Sequence, residues 1–160
     1  MIVDNIRNYL GDEKKPQFTK IIKEIYQTTK HLKEAYPNYK KWFFNKQVKG
    51  CYNQSRNIIF VKNKQGKIVG ICCLKKESDE RKLCTLYVVP DYRMQGVGSL
   101  LLKEAINFLG TEKPLITFAE DILPMFEKII KKYDWKLVEV ADGIYKEGVK
   151  ELCFNGKLSK

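Results

Sequence analysis

An arginine, two glycines and a serine stand close together in Arg93-Met94-Gln95-Gly96-Val97-Gly98-Ser99. Their chemistry is that of an anion cradle. A helix N-terminus exposes backbone N–H groups with no partner inside the helix, and its dipole favours negative charge beside them. Glycine lets a ligand reach that backbone with no Cβ in the way. Such a cradle needs a strand before it and a helix after it, and both are predicted. Residues 83–89 form an apolar, β-branched and aromatic run broken by Pro90-Asp91. Residues 97–109 carry Leu100, Leu101, Ala105, Ile106 and Leu109 on one apolar face, and Gly110 is placed to cap the end.

Arg93-Met94-Gln95-Gly96-Val97-Gly98 fits the R/Q-x-x-G-x-G/A signature of the GNAT superfamily of acyl-CoA-dependent N-acetyltransferases. The lead-in Leu86-Tyr87-Val88-Val89-Pro90-Asp91-Tyr92-Arg93 and the follow-on Gly98-Ser99-Leu100-Leu101 also resemble that family. The resemblance is specific in this segment alone. It implies that acetyl-CoA enters where the central strand and the next one splay apart. Leu86, Tyr87 and Val88 would hold the pantetheine arm through main chain, as an added strand is held. Met94, Gln95, Gly96, Val97, Gly98 and Ser99 would hold the pyrophosphate, mostly by backbone N–H, and Arg93 joins the cofactor-binding set. A backbone N–H at Tyr87 or Val88 would polarise the thioester carbonyl. The implied reaction is direct attack by a neutral primary amine in a ternary complex, with proximity supplying much of the rate and no metal required. The acceptor stays open among a small amine, a protein amino group and an aminoacyl group on tRNA. A homodimer is compatible with the resemblance.

The acid and base are less legible. Many members of the resembled family place a tyrosine in the later helix, five residues before an aromatic. Counting back from Trp135 gives Ile130, and the tyrosine present is Tyr133. It would serve as the acid only with the helix rotated or shifted. For a base, Glu80, Glu120 and Asp121 flank the predicted splay, and Glu120 comes first because the carboxyl end of its strand should face the cleft. Tyr36 and Tyr39, beside the break at Pro37, are candidates for an acceptor wall, with Trp42 and Phe43 assigned to the core.

The remaining elements position these groups. A loose first strand over residues 1–10 is followed by a helix over 17–36, with Thr19 as its cap, and a short helix from Asn38 to near Gly50. Residues 57–62 and 67–74 read as a hairpin turning at Asn63-Lys64-Gln65-Gly66. Strands are expected over 115–119, 135–140 and 152–154, and a helix over 122–133. The order is β-αα-βββ-α-β-α-ββ. The fold class is α/β (α+β): a mixed, mostly antiparallel central sheet flanked by helices, as one domain over residues 1–160, and that order is also the GNAT one.

Composition limits the alternatives. No run approaches the roughly 20 apolar residues of a membrane span, and the N-terminus lacks a signal-peptide pattern, so a cytoplasmic location is expected. The cysteines, Cys51, Cys72, Cys73, Cys84 and Cys153, show no C-x-x-C spacing and read as core filler. His31 is the single histidine, which argues against a histidine triad or a multi-histidine metal site. A Cys84 nucleophile would lack an activating partner, so a ping-pong route is rejected. The net charge of +11 comes from lysines spread along the chain. It reads as a solvated surface that also steers polyanionic CoA. Two other readings remain: a non-catalytic acyl-CoA-binding module and a basic nucleic-acid-binding protein.

Overall fold

The computed structural model of the chain describes residues 1–158. β1 (Ile2–Asn5) leads through short 3-10 turns to α1 (Lys15–Thr29). α2 (Tyr39–Trp42) runs on through a π-helical turn, Phe43–Val48, into α3 (Lys49–Tyr52). Then come β2 (Arg56–Lys62), β3 (Ile68–Lys76), β4 (Arg81–Val88), α4 (Val97–Leu109), β5 (Leu115–Ala119), α5 (Glu127–Tyr133), β6 (Leu137–Asp142) and β7 (Lys150–Phe154). The order of elements is the one expected.

Their bounds depart from expectation at several places, three of them in the helices. α1 starts at Lys15, with Pro16 in its first turn, and not after a Thr19 cap. Proline is tolerated there because the N–H it lacks would have no helical partner. α1 also stops at Thr29, followed by a 3-10 segment, Lys30–Glu34. Thr28 and Thr29 donate their hydroxyls to the carbonyls of Glu24 and Ile25, a competition that loosens the α-helical ladder. The helix expected over residues 122–133 divides into a 3-10 segment holding Pro124, Glu120–Met125, and then α5.

The strands form one sheet in the order β1-β2-β3-β4-β5-β7-β6. Every pairing is antiparallel except β4 with β5. α4 and α5 cover one face, on a core of Val69, Leu74, Leu83, Leu101 and Phe118. α1 and the α2–α3 rod cover the other, over Ile25, Phe43, Ile58, Phe60 and Ile71. Cys51, Cys72, Cys73 and Cys153 are buried within these layers. Among the described residues, no helix is long and apolar enough to cross a membrane.

Candidate active site

β4 and β5 stay in register at only two pairs, Lys82 with Leu115 and Leu83 with Ile116, and then part. A bulge marks the point of departure. Cys73 on β3 faces Thr85, but Leu74 faces Leu83, so Cys84 is the extra residue on β4. Beyond it one edge of β4 lies open towards β5. The Val89 N–H donates to Val69 O, and antiparallel ladders alternate bonded with non-bonded pairs. Tyr87 therefore turns its N–H and C=O to Ile71, while Leu86 and Val88 turn theirs to the open edge. Arg93 agrees with this alternation, since its Nε donates to Val88 O at 2.9 Å.

The strand ends in a turn that delivers the α4 N-terminus. Met94 takes φ 63° and is 90% exposed, and Gly96 takes φ 85°. These left-handed residues reverse the chain so that α4 points its first N–H groups outward. No side chain caps them. The first helical bond falls from Leu100 N to Gly96 O, which leaves the N–H groups of Val97, Gly98 and Ser99 without a helical acceptor. A Cβ on Gly98 would meet only Val88 Cγ2, at 3.9 Å, so the space above this backbone is open. The donor set suits a pyrophosphate, and the free strand edge suits an amide-bearing arm such as pantetheine. Arg93 is tied down, bonded to Val88 O with its guanidinium 5.7 Å from the Tyr87 ring centroid. Gln95 donates its side-chain amide to Asp91 O. The loop is thus fixed from both ends before any ligand arrives.

The splay opens into a cavity of about 700 Å³. Its walls come from β4, β5, the α2 region and the connection between β6 and β7. Tyr36 and Tyr39, expected at an acceptor wall, both line it, and so does Trp42. Tyr39 is 4% exposed and donates its hydroxyl to Thr29 Oγ1 at 2.7 Å, so its phenol is structurally committed. Burial pushes the phenols of Tyr36 and Tyr39 well above the usual tyrosine range.

Behind Tyr36 stands a carboxylate that sequence reading missed. Glu151 on β7 is 3% exposed. It pairs with Ala119, which makes Thr117 its diagonal neighbour on the same face of the sheet. The Tyr36 hydroxyl donates to Glu151 Oε2 at 3.2 Å and the Thr117 hydroxyl at 3.1 Å. Burial raises the Glu151 carboxyl above the usual range, and these two hydrogen bonds oppose the shift. Tyr145 sets its ring edge-on to Tyr36, 5.1 Å between centroids, and closes this end of the cavity. The only signal in the sequence is an acid at the head of the apolar run Leu152-Cys153-Phe154.

Glu120 and Tyr133 lie elsewhere. Glu120 is exposed at the start of the 3-10 segment after β5. Tyr133 ends α5, stacked with Trp135 at 6.2 Å. Neither lines the cavity. Glu80 pairs with Lys75 at 2.8 Å. Burial raises the Cys84 thiol, which leaves it a poor nucleophile. Among the described residues no group of His, Cys, Asp and Glu is placed to hold a metal ion.

Residues 55–129 match the family model described as the acetyltransferase (GNAT) domain. No curated protein matches the chain. Among solved structures, an aminoglycoside 6'-N-acetyltransferase complexed with coenzyme A aligns over 96% of this chain and 95% of its own, at TM-score 0.63 and 14% identity. A nourseothricin acetyltransferase aligns over 64% of this chain, at TM-score 0.58 and 15% identity. That alignment spans 65% of the nourseothricin enzyme, just under two thirds of its length. A GNAT family acetyltransferase from Elizabethkingia anophelis with acetyl-CoA bound aligns over 68% of this chain and 80% of its own, at TM-score 0.52 and 16% identity. The open β4 edge and the uncapped α4 N-terminus both lie within the segment that matches the GNAT acetyltransferase domain, and the chain shares the fold of these acetyltransferases.

Proposed function

We propose that this protein transfers the acetyl group of acetyl-CoA to a primary amine in a ternary complex. The observation that carries the reading is the divergence of β4 and β5 after two pairs, beside the free first turn of α4. Acetyl-CoA supplies an acetyl group already activated as a thioester. The Val97, Gly98 and Ser99 N–H groups bind the pyrophosphate, and the Leu86 and Val88 main chain binds the pantetheine arm. The Val88 N–H is the better-directed donor to the thioester oxygen, because ladder alternation turns Tyr87 to Ile71.

The amine enters from the cavity side. Its nitrogen bonds to the acetyl carbon as the C–S bond breaks. Glu151, set behind Tyr36, takes the amine proton through the Tyr36 hydroxyl or one water, and its raised pKa brings it nearer the working range of a general base. Tyr36 and Thr117 hold that carboxylate in place. Water reprotonates the leaving thiolate, since Tyr133 packs away from the cavity.

Calorimetric titration with acetyl-CoA tests the reading, with Gly98→Trp as the control. The wild type is expected to bind, and the folded variant is not, because the indole fills the open space above α4. A folded wild type that does not bind acetyl-CoA overturns the proposal. Binding without turnover for any amine would mark a non-catalytic acyl-CoA module.

A further inference from the structure

The cavity is bordered by charge of one sign. Lys41, Lys46, Arg56, Lys75 and Lys82 line it, and among the described residues no aspartate or glutamate does. Glu151 stands behind Tyr36 and Thr117 at one end. Lys75 is neutralised by Glu77 and Glu80. Arg56 is different.

Arg56 begins β2, and its stem lies on Gly50 of α3, where an added Cβ would come within 2.6 Å of Arg56 Cδ. Its guanidinium sits 5.8 Å from the Trp42 ring centroid. Its Nη1 donates to Gln47 Oε1 at 2.9 Å and lies 3.8 Å from Cys84 Sγ at the β4 bulge. Gln47 is fully buried in the π-helical turn and is itself fixed by donating to Asn57 O. Glycine, aromatic ring and buried amide thus hold one cation rigidly against the cavity. Among the described residues it has no carboxylate partner, and Nη1 is the only guanidinium nitrogen that donates to the protein. An unpaired, preorganised arginine fork is a binding device for carboxylate or phosphate oxygens.

We infer that the acceptor is an amine that also carries an anionic group, a carboxylate or a phosphate, which Arg56 receives while the amine is presented towards Glu151. This rests on the transferase reading and narrows it. Lys82 stands between the two ends, beside Cys84 and within electrostatic reach of Glu151, and reinforces the preference. The same lining repels polycationic amines.

The test uses matched acceptors with acetyl-CoA and follows free thiol release: phenylalanine against 2-phenylethylamine, and O-phosphoethanolamine against ethanolamine. The anionic member of at least one pair is expected to show at least tenfold higher kcat/KM than its partner, and which pair does so distinguishes carboxylate from phosphate. Arg56→Gln should erase that preference by raising KM for the anionic members, with acetyl-CoA affinity retained. Arg56→Lys, which keeps the charge, should restore part of it. Equal or better use of the members without an anionic group, in both pairs, overturns the inference. So does an Arg56→Gln loss that is the same for both members of each pair. A protein that binds acetyl-CoA yet acetylates no member of either pair overturns it as well. Failure to bind acetyl-CoA removes the transferase reading itself, and this inference with it.

Discussion

Gly70 on β3 and Val97 on α4 approach so closely that a Cβ on Gly70 would lie 2.5 Å from Val97 Cγ1. Leu101 Cδ1 would be 3.0 Å away on the same side. The missing side chain lets the first turn of α4 settle on the sheet, next to the open edge of β4. Gly70 pairs with Val88, so the same contact sets the spacing between the helix N–H groups and the strand edge proposed to receive the pantetheine arm.

Gly70→Ala should therefore lift the start of α4. A β-branched valine has little freedom to yield, and overpacking of this kind costs about 1–3 kcal/mol. Acetyl-CoA affinity should fall together with stability. Adding Val97→Ala removes Cγ1 and should recover most of both. A double variant no better than Gly70→Ala, by thermal unfolding and calorimetry, would show that this packing does not set the site.

Glu151→Gln should separate activity from stability. Loss of a general base lowers kcat by about 10²-fold or more. In the wild type the acid limb of the kcat/KM profile should lie above the ordinary glutamate range, because burial favours the protonated form. The variant should lack that limb. The folded protein holds the Glu151 proton more tightly than the unfolded chain does. Ionising it therefore removes stability as pH rises from the ordinary value near 4.5 through the raised one. At neutral pH the glutamine variant should melt higher, by about 2–4 °C if the gain is about 1 kcal/mol.

Amide exchange should report the strand edge residue by residue. In the free protein the Leu86 and Val88 N–H groups should exchange faster than that of Tyr87, which is bonded to β3. Saturating acetyl-CoA should slow Leu86 and Val88 and leave Tyr87 nearly unchanged. Uniform slowing along β4, measured by nuclear magnetic resonance, would argue against an added-strand mode of binding.

Cys84→Ala should keep acetyl transfer within about threefold of wild type, because a thiol raised by burial offers little thiolate. No acetylated enzyme should accumulate when acetyl-CoA is supplied without an amine. Mass spectrometry of the intact protein decides this. A stoichiometric acetyl adduct lost in Cys84→Ala would restore a covalent route.

The strand, turn and helix start proposed to hold acyl-CoA were legible because they are local. Residues 83–99 hold the strand, the turn glycines and the helix start in one short run, and each follows from side-chain type alone. Of the acceptor half, only Tyr36 and Tyr39, which line the cavity, were legible. Glu151 reaches Tyr36 across 115 residues, through a strand pairing that no short pattern reveals. Arg56 gains its character from Trp42, Gln47 and Gly50, one turn apart on a helix whose π-helical stretch has no clear sequence mark. Glu120 was the natural choice among acids near the splay, yet β5 ends one residue before it and leaves it in solvent.

The insertion of β7 between β5 and β6 has a consequence for synthesis on the ribosome. The strands from β1 to β4 can pair in the order in which they emerge. β5 then meets only the two-pair seam with β4 and must wait for β7, the last strand, to gain a full neighbour. Glu151 arrives with that strand. A nascent chain can thus assemble the proposed grip on a nucleotide cosubstrate well before it holds the proposed base.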